Sequence, residues 1–141
     1  NHTPIPHNGS VPKFAAYDIN GKQVNNAMLA KADTAVVIAW ATWNYNSMSM
    51  LQTVAQIQKE KGSKMKVLGV CLDYSRSLCR TALRQRDMND IPTVCDGKAV
   101  DGDVYNRLGM SNLPDNIVIE KGKVTATGLT LEQLRKKLGK E

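Results

Sequence analysis

No run of about 18 apolar residues occurs in this 141-residue sequence, so no segment of it reads as a bilayer-spanning helix. The polar start NHTPIPHNGS has no apolar core of the kind a signal peptide needs. Aromatic residues make up only 5% of the chain, and its 19 basic against 13 acidic residues are scattered, giving +6 without a basic block. The densest group, Arg135, Lys136 and Lys137 with Lys140, falls at the end of a terminal helical pattern, where cations suit the helix dipole. Nucleic acid is therefore not an expected partner. No Cys-x-x-Cys occurs, and both histidines lie in the N-terminal segment, so Cys71, Cys79 and Cys95 match no zinc spacing. Neither a metal nor another cofactor is expected.

What is present fits one domain with one core. Residues 1–10, within a stretch with three prolines by Pro12, read as a linker or arm, and residues 11–141 as the domain. Residues 35–40 form a short apolar run rich in β-branched side chains, as in a strand buried on both faces. Met48, Leu51, Val54, Ala55 and Ile57 recur at helical spacing, which predicts a helix over 45–61 ending near Gly62. A second buried strand is expected over 65–72, and a helix over 75–88 capped by Ser75 or Ser77. A brief strand over 91–95 and a helix over 100–108 follow, then a hairpin turning at residues 121–123 and a last helix capped by Thr130. DINGK, residues 18–22, predicts a turn between two earlier strands. The order is α/β, parallel at first and antiparallel at the end.

VPKFAAYDINGKQV, VVIAWATW, MKVLGVCLD, YNRLGMSNLP and NIVIEKGKVTATGLTLEQLRKKL together resemble the thioredoxin superfamily, and within it the TlpA/ResA-like thiol-disulfide oxidoreductases of bacterial extracytoplasmic compartments. The resemblance reaches from about Val11 to the C-terminus. It implies a thioredoxin-like fold: a central mixed sheet flanked by helices, an N-terminal β-hairpin and the TlpA-type extra strand–helix insertion. It also implies an exported, periplasmic or envelope-associated protein with a role in cell redox homeostasis.

In that family the tryptophan matching Trp43 precedes Cys-x-Pro-Cys at a helix start, where the dipole and free N–H groups stabilise the attacking thiolate. Here the quartet is Asn44-Tyr45-Asn46-Ser47, with no thiol. Ile38 stands where such enzymes often keep a buried polar or acidic residue, and Met50 where TlpA-like members often have Glu, so the proton-handling groups are replaced as well. Asn44 reads as a helix cap. Trp43, Asn44, Tyr45, Ser47, Leu113 and Pro114 read as a retained binding groove. The family's cis-proline matches Pro114, ahead of the hairpin, rather than Pro92 in the thioredoxin-like I-P-T at residues 91–93.

Two readings of the cysteines stay open. They are buried apolar thiols, or a right-handed crossover brings Cys79 and Cys95 together as a relocated disulfide pair, with Cys71 buried in its strand. The function expected is a redox-inactive binding or structural module for an exported protein or peptide. The alternatives are an oxidoreductase using Cys79 and Cys95, and a passive C-terminal domain of a larger exported protein.

Overall fold

The computed structural model describes residues 4–139. At its centre lies β4 (Thr34–Trp40), parallel to β5 (Met65–Cys71) and antiparallel to β7 (Asp115–Glu120). The main sheet runs in the order β1 (Gly9–Ser10), β8 (Lys123–Thr127), β7, β4, β5, β6 (Thr93–Val94). This is the expected thioredoxin-like mixed sheet. The helix α3 (Arg76–Gln85) and β6 form the extra strand–helix unit, and β2 (Ala15–Tyr17) with β3 (Gln23–Asn25) form the separate N-terminal hairpin.

Alternation along β4 builds two cores. Val36, Ile38 and Trp40 face one layer with Met48 and Leu51 of α2 (Tyr45–Lys61) and Leu134 of α5 (Leu131–Lys137). Ala35, Val37 and Ala39 face the other, with Leu29 of α1 (Asn26–Lys31) and Val104 and Tyr105 of α4 (Asp103–Arg107). The same alternation puts Met65, Val67 and Cys71 on the α2 side of β5. Gly69 leaves that face open for Trp40: a Cβ there would come within 2.8 Å of the indole Nε1 and 2.7 Å of Thr93 Oγ1. That indole nitrogen is buried without a hydrogen-bond partner among the described residues.

The hairpin turn is tied to the insertion. Asp18 Oδ1 accepts from the Asn20 and Lys22 N–H groups, the Ile19 N–H donates to the Thr93 carbonyl, and Arg80 donates to the Ile19 carbonyl at 2.8 Å. Thr130 and Gln133 close a capping box at α5.

Several expected boundaries shift. The single helix expected over 100–108 is a 3₁₀ turn at Ala99–Asp101 followed by α4, interrupted at an extended Gly102. The Asp96 carboxylate accepts from the Lys98 and Asp103 N–H groups and so draws the chain into a loop there. The helix expected to reach residue 88 ends at Gln85, with Asp87 in the left-handed region. Residues 9 and 10, read as arm, form β1 (Gly9–Ser10) against β8; residues 1–3 of that arm lie outside the described residues, as does Lys140.

Candidate functional site

The chain leaves β4 through Ala41, Thr42 and Trp43 and enters α2 at Asn44. Asn44 is the cap: its Oδ1 accepts from the Ser47 N–H at 2.8 Å, while its extended backbone breaks the helix upstream. Ser47, the third residue of α2, is fully buried. Its Oγ accepts from the Ala41 N–H at 3.0 Å and donates to the Asn44 carbonyl at 2.8 Å. The polar side-chain atoms of Asn44 and Ser47 are thus consumed in folding the loop. Expected to line a groove, Ser47 presents nothing to the surface, because its hydroxyl satisfies a backbone N–H that would otherwise be buried unpaired.

Around this start the aromatics are exposed: Trp43 is 68%, Tyr45 83% and, from the end of β5, Tyr74 81% accessible. Trp43 and Tyr45 share a shallow depression of about 230 Å³ with Thr42, Gln52 and Arg86. The Leu113–Pro114 bond is cis, and both residues are partly buried just ahead of β7. Since Ala39 pairs with Asp115, Pro114 lies at the same sheet end as the β4-to-α2 turn, although it does not line the depression. Pro92 stands immediately ahead of β6.

Behind the turn, Ile38 and Met50 are both buried. Between them sits Asn116, opposite Ile38 in the β4–β7 ladder, with its Nδ2 3.5 Å from Met50 Sδ. Its amide donates to the Leu129 carbonyl at 2.8 Å and accepts from the Leu129 N–H at 3.0 Å. The buried polar group here is therefore a saturated amide, which carries no titratable proton. Sequence reasoning passed over Asn116; its signal was an amide directly beside the apolar run Ile117-Val118-Ile119 of β7.

Asp73 was also missed. Buried in the loop two residues beyond β5, it accepts through Oδ1 from the Thr42 N–H at 2.8 Å and through Oδ2 from the Thr42 hydroxyl. Its carbonyl accepts from the Cys95 thiol at 3.5 Å. One residue therefore braces the α2 loop and touches the cysteines.

Cys79, fourth in α3, and Cys95, just beyond β6, do approach each other, as the crossover predicted. Cys71 joins them. The three Sγ atoms lie within 4.8 Å of one another, and all three residues are buried as free thiols. Cys71 is buried in its strand as expected, and the parity of β5 also turns it toward Cys79 of α3. Hydrogen bonds from Cys71 and Cys79 pull the Cys95 thiol well below its usual range, helped by the Gly97 backbone and the Arg76 charge. Cys71 and Cys79 are pushed up: Cys71 by its thiol hydrogen bonds to both neighbours and by burial, Cys79 by its hydrogen bond to Cys95 and by burial, which outweigh an opposing hydrogen bond with Cys71.

No protein-family model and no curated protein matches this sequence. Solved structures do share its fold. A thiol-disulfide oxidoreductase from Bacteroides fragilis superposes over 92% of this chain and 97% of its own, at a TM-score of 0.78 and 23% identity. The thioredoxin domain of a thiol-disulfide oxidoreductase from Bacteroides vulgatus covers 95% of this chain and 99% of its own, at 0.75 and 16%. A secreted disulfide oxidoreductase from Mycobacterium tuberculosis, homologous to E. coli DsbE, covers 89% and 94%, at 0.74 and 14%. The fold is thioredoxin-like, as the resemblance implied.

Proposed function

We propose that this chain is a thioredoxin-like binding module that holds an extended segment of an exported protein or peptide beside the α2 start and performs no thiol–disulfide exchange there. The observation that carries this reading is the use of Asn44 and Ser47 as cap and loop brace, which leaves neither a nucleophile nor a resolving thiol where the dipole would activate one. Exposed Trp43 and Tyr45 supply the contact surface, rigid and amphipathic. The bend at Leu113–Pro114, just ahead of β7 and outside its ladders, would supply backbone groups for an extended partner. The secreted neighbour supports an extracytoplasmic setting, and among the described residues no helix is long and apolar enough to cross a membrane.

Insulin reduction with dithiothreitol tests the absence of exchange: the rate with this protein should equal the uncatalysed rate. Titration of an unfolded, cysteine-free polypeptide, followed by Trp43 fluorescence, tests the binding. The variant Trp43→Ala/Tyr45→Ala, followed by chemical shifts, should bind roughly thirtyfold more weakly, as expected for aromatic anchors.

A relocated exchange centre at Cys79 and Cys95 is favoured by the closeness of their sulfurs and by the lowered Cys95 thiol. Burial argues against it, since a protein disulfide must reach the attacking sulfur in line. Turnover abolished by Cys79→Ser or Cys95→Ser would establish that reading. The Bacteroides vulgatus neighbour is one domain of an oxidoreductase, which supports testing this domain within any longer chain as well.

A further inference from the structure

Three buried sulfurs arriving from three separate elements, the end of β5, the first turns of α3 and the residue after β6, form a triangle that ordinary packing does not require. The geometry points to a binding site for a soft d10 metal ion, of which Cu(I) is the representative, held by Cys71, Cys79 and Cys95 in three-coordinate sulfur geometry.

The spacing fits. A metal–sulfur bond of about 2.3 Å with three ligands places the sulfurs about 3.8–4.0 Å apart, inside the 4.8 Å limit observed here before any ion is bound. The ligand set selects for softness, since among the described residues no histidine or carboxylate joins the group. Asp96, next to Cys95 in the chain, turns its carboxylate to the Lys98 and Asp103 N–H groups, and Asp73 spends its own on Thr42 and offers the cluster only a backbone carbonyl. An ion that demands a fourth ligand, such as Zn(II), would have to import water into an apolar core. Cu(I), content with three sulfurs, would not.

Charge balance also fits. Binding Cu(I) displaces two thiol protons to solvent, leaving two thiolates and one neutral thiol around the ion, with net charge −1 and no change in the oxidation state of copper or sulfur. The residual charge lies against the N-terminal turns of α3, where the helix dipole favours an anion. Sequence spacing hid this site because the ligands are eight and sixteen residues apart and meet only through the crossover.

The test is anaerobic titration of the reduced protein with Cu(I) buffered by a chromophoric chelator. One Cu(I) per chain should be withdrawn from the chelator, with a sulfur-to-copper charge-transfer band, and the thermal midpoint should rise with Cu(I) concentration because the folded state binds. Each of Cys71→Ser, Cys79→Ser and Cys95→Ser should weaken binding more than about 100-fold, since losing a ligand exceeds the 10–100-fold cost of losing an outer-shell partner. Cys71→Ala, which leaves no unpaired hydroxyl in the core, covers the case in which a serine variant fails to fold. No withdrawal of Cu(I), unchanged binding in single variants, or a midpoint that falls on adding Cu(I) would overturn the assignment. So would a native thiol count showing that two of the three sulfurs are already joined as a disulfide.

Discussion

Two adjacent strand-to-helix turns of this protein share a plan and differ in their chemistry. β4 leads to α2 through a loop capped by Asn44, and β5 leads to α3 through a loop capped by Ser75, whose Oγ accepts from the Leu78 N–H at 3.2 Å. The first turn is rimmed by exposed aromatics and holds no thiol; the second holds Cys79 beneath the surface, against Cys71 and Cys95. A helix start can activate a thiolate in either place, but only an exposed one can attack a protein disulfide. The α2 turn has access and no thiol. The α3 turn has nucleophiles without access, a setting suited to packing or to a small ion rather than to a polypeptide.

The largest expected change comes from restoring what the α2 turn lacks. Asn44→Cys/Ser47→Cys places two thiols at the three-residue spacing of the resembled family, and a disulfide should form under oxidising conditions. Reduction of insulin should still fall short of an ordinary thioredoxin-like enzyme by about 100-fold or more, the size of a missing general acid–base. The reason is the saturated Asn116 amide between Ile38 and Met50. Adding Met50→Glu should recover part of the shortfall. If the double variant alone reached full activity, the contrast between the two turns would reduce to two missing sulfurs.

Second in size is the residue that joins the turns. Asp73→Ala removes both acceptors of Thr42 and should cost about 2–3 kcal/mol, typical of a buried charge-assisted pair of hydrogen bonds. Urea unfolding measures it. Asp73→Asn keeps an acceptor for the Thr42 N–H and should recover more than half. An Asp73→Ala cost near zero would mean that the loop and the cysteines are independent.

Long elements were legible in the sequence because periodicity over many residues overrides local ambiguity: α2 runs over the expected 45–61, and β4, β5 and β7 lie within a residue or so of expectation. Short elements were not. α1 has six residues, too few for a helical repeat, and β1 has two, set by pairing with β8 rather than by its own side chains. At the site, the cap at Asn44 was readable from residue type, whereas the burial of Ser47 and the brace from Asp73 depend on contacts across sequence separations of 6 and 31. That Cys71, buried in its strand as expected, also joins Cys79 and Cys95 was readable from parity, since it shares a face with Met65 and Val67.

Ser47→Ala should cost about 1–2 kcal/mol, because the Ala41 N–H is left buried without a partner. The same exchange at Ser77 of α3, which is exposed, should change stability by less than about 0.5 kcal/mol. Equal effects at the two serines would show that the α2 turn is not held by its hydroxyl.

The smallest effects belong to the caps themselves. Asn44→Ala should cost about 1 kcal/mol, since the Ser47 N–H loses its acceptor. Ser75→Ala should cost about 0.5 kcal/mol, because its longer, exposed bond to the Leu78 N–H is readily replaced by water. Asn44→Asp and Asn44→Ser both restore a capping oxygen, so thermal midpoints should return to within a degree or two of the parent. Peptide binding, read by Trp43 fluorescence, should follow stability rather than the chemistry at position 44 if Asn44 serves only to start the helix. Should Asn44→Ser keep full stability and yet lose affinity, the amide would be touching the partner directly, and the α2 turn would be a recognition site rebuilt around asparagine rather than a capped remnant.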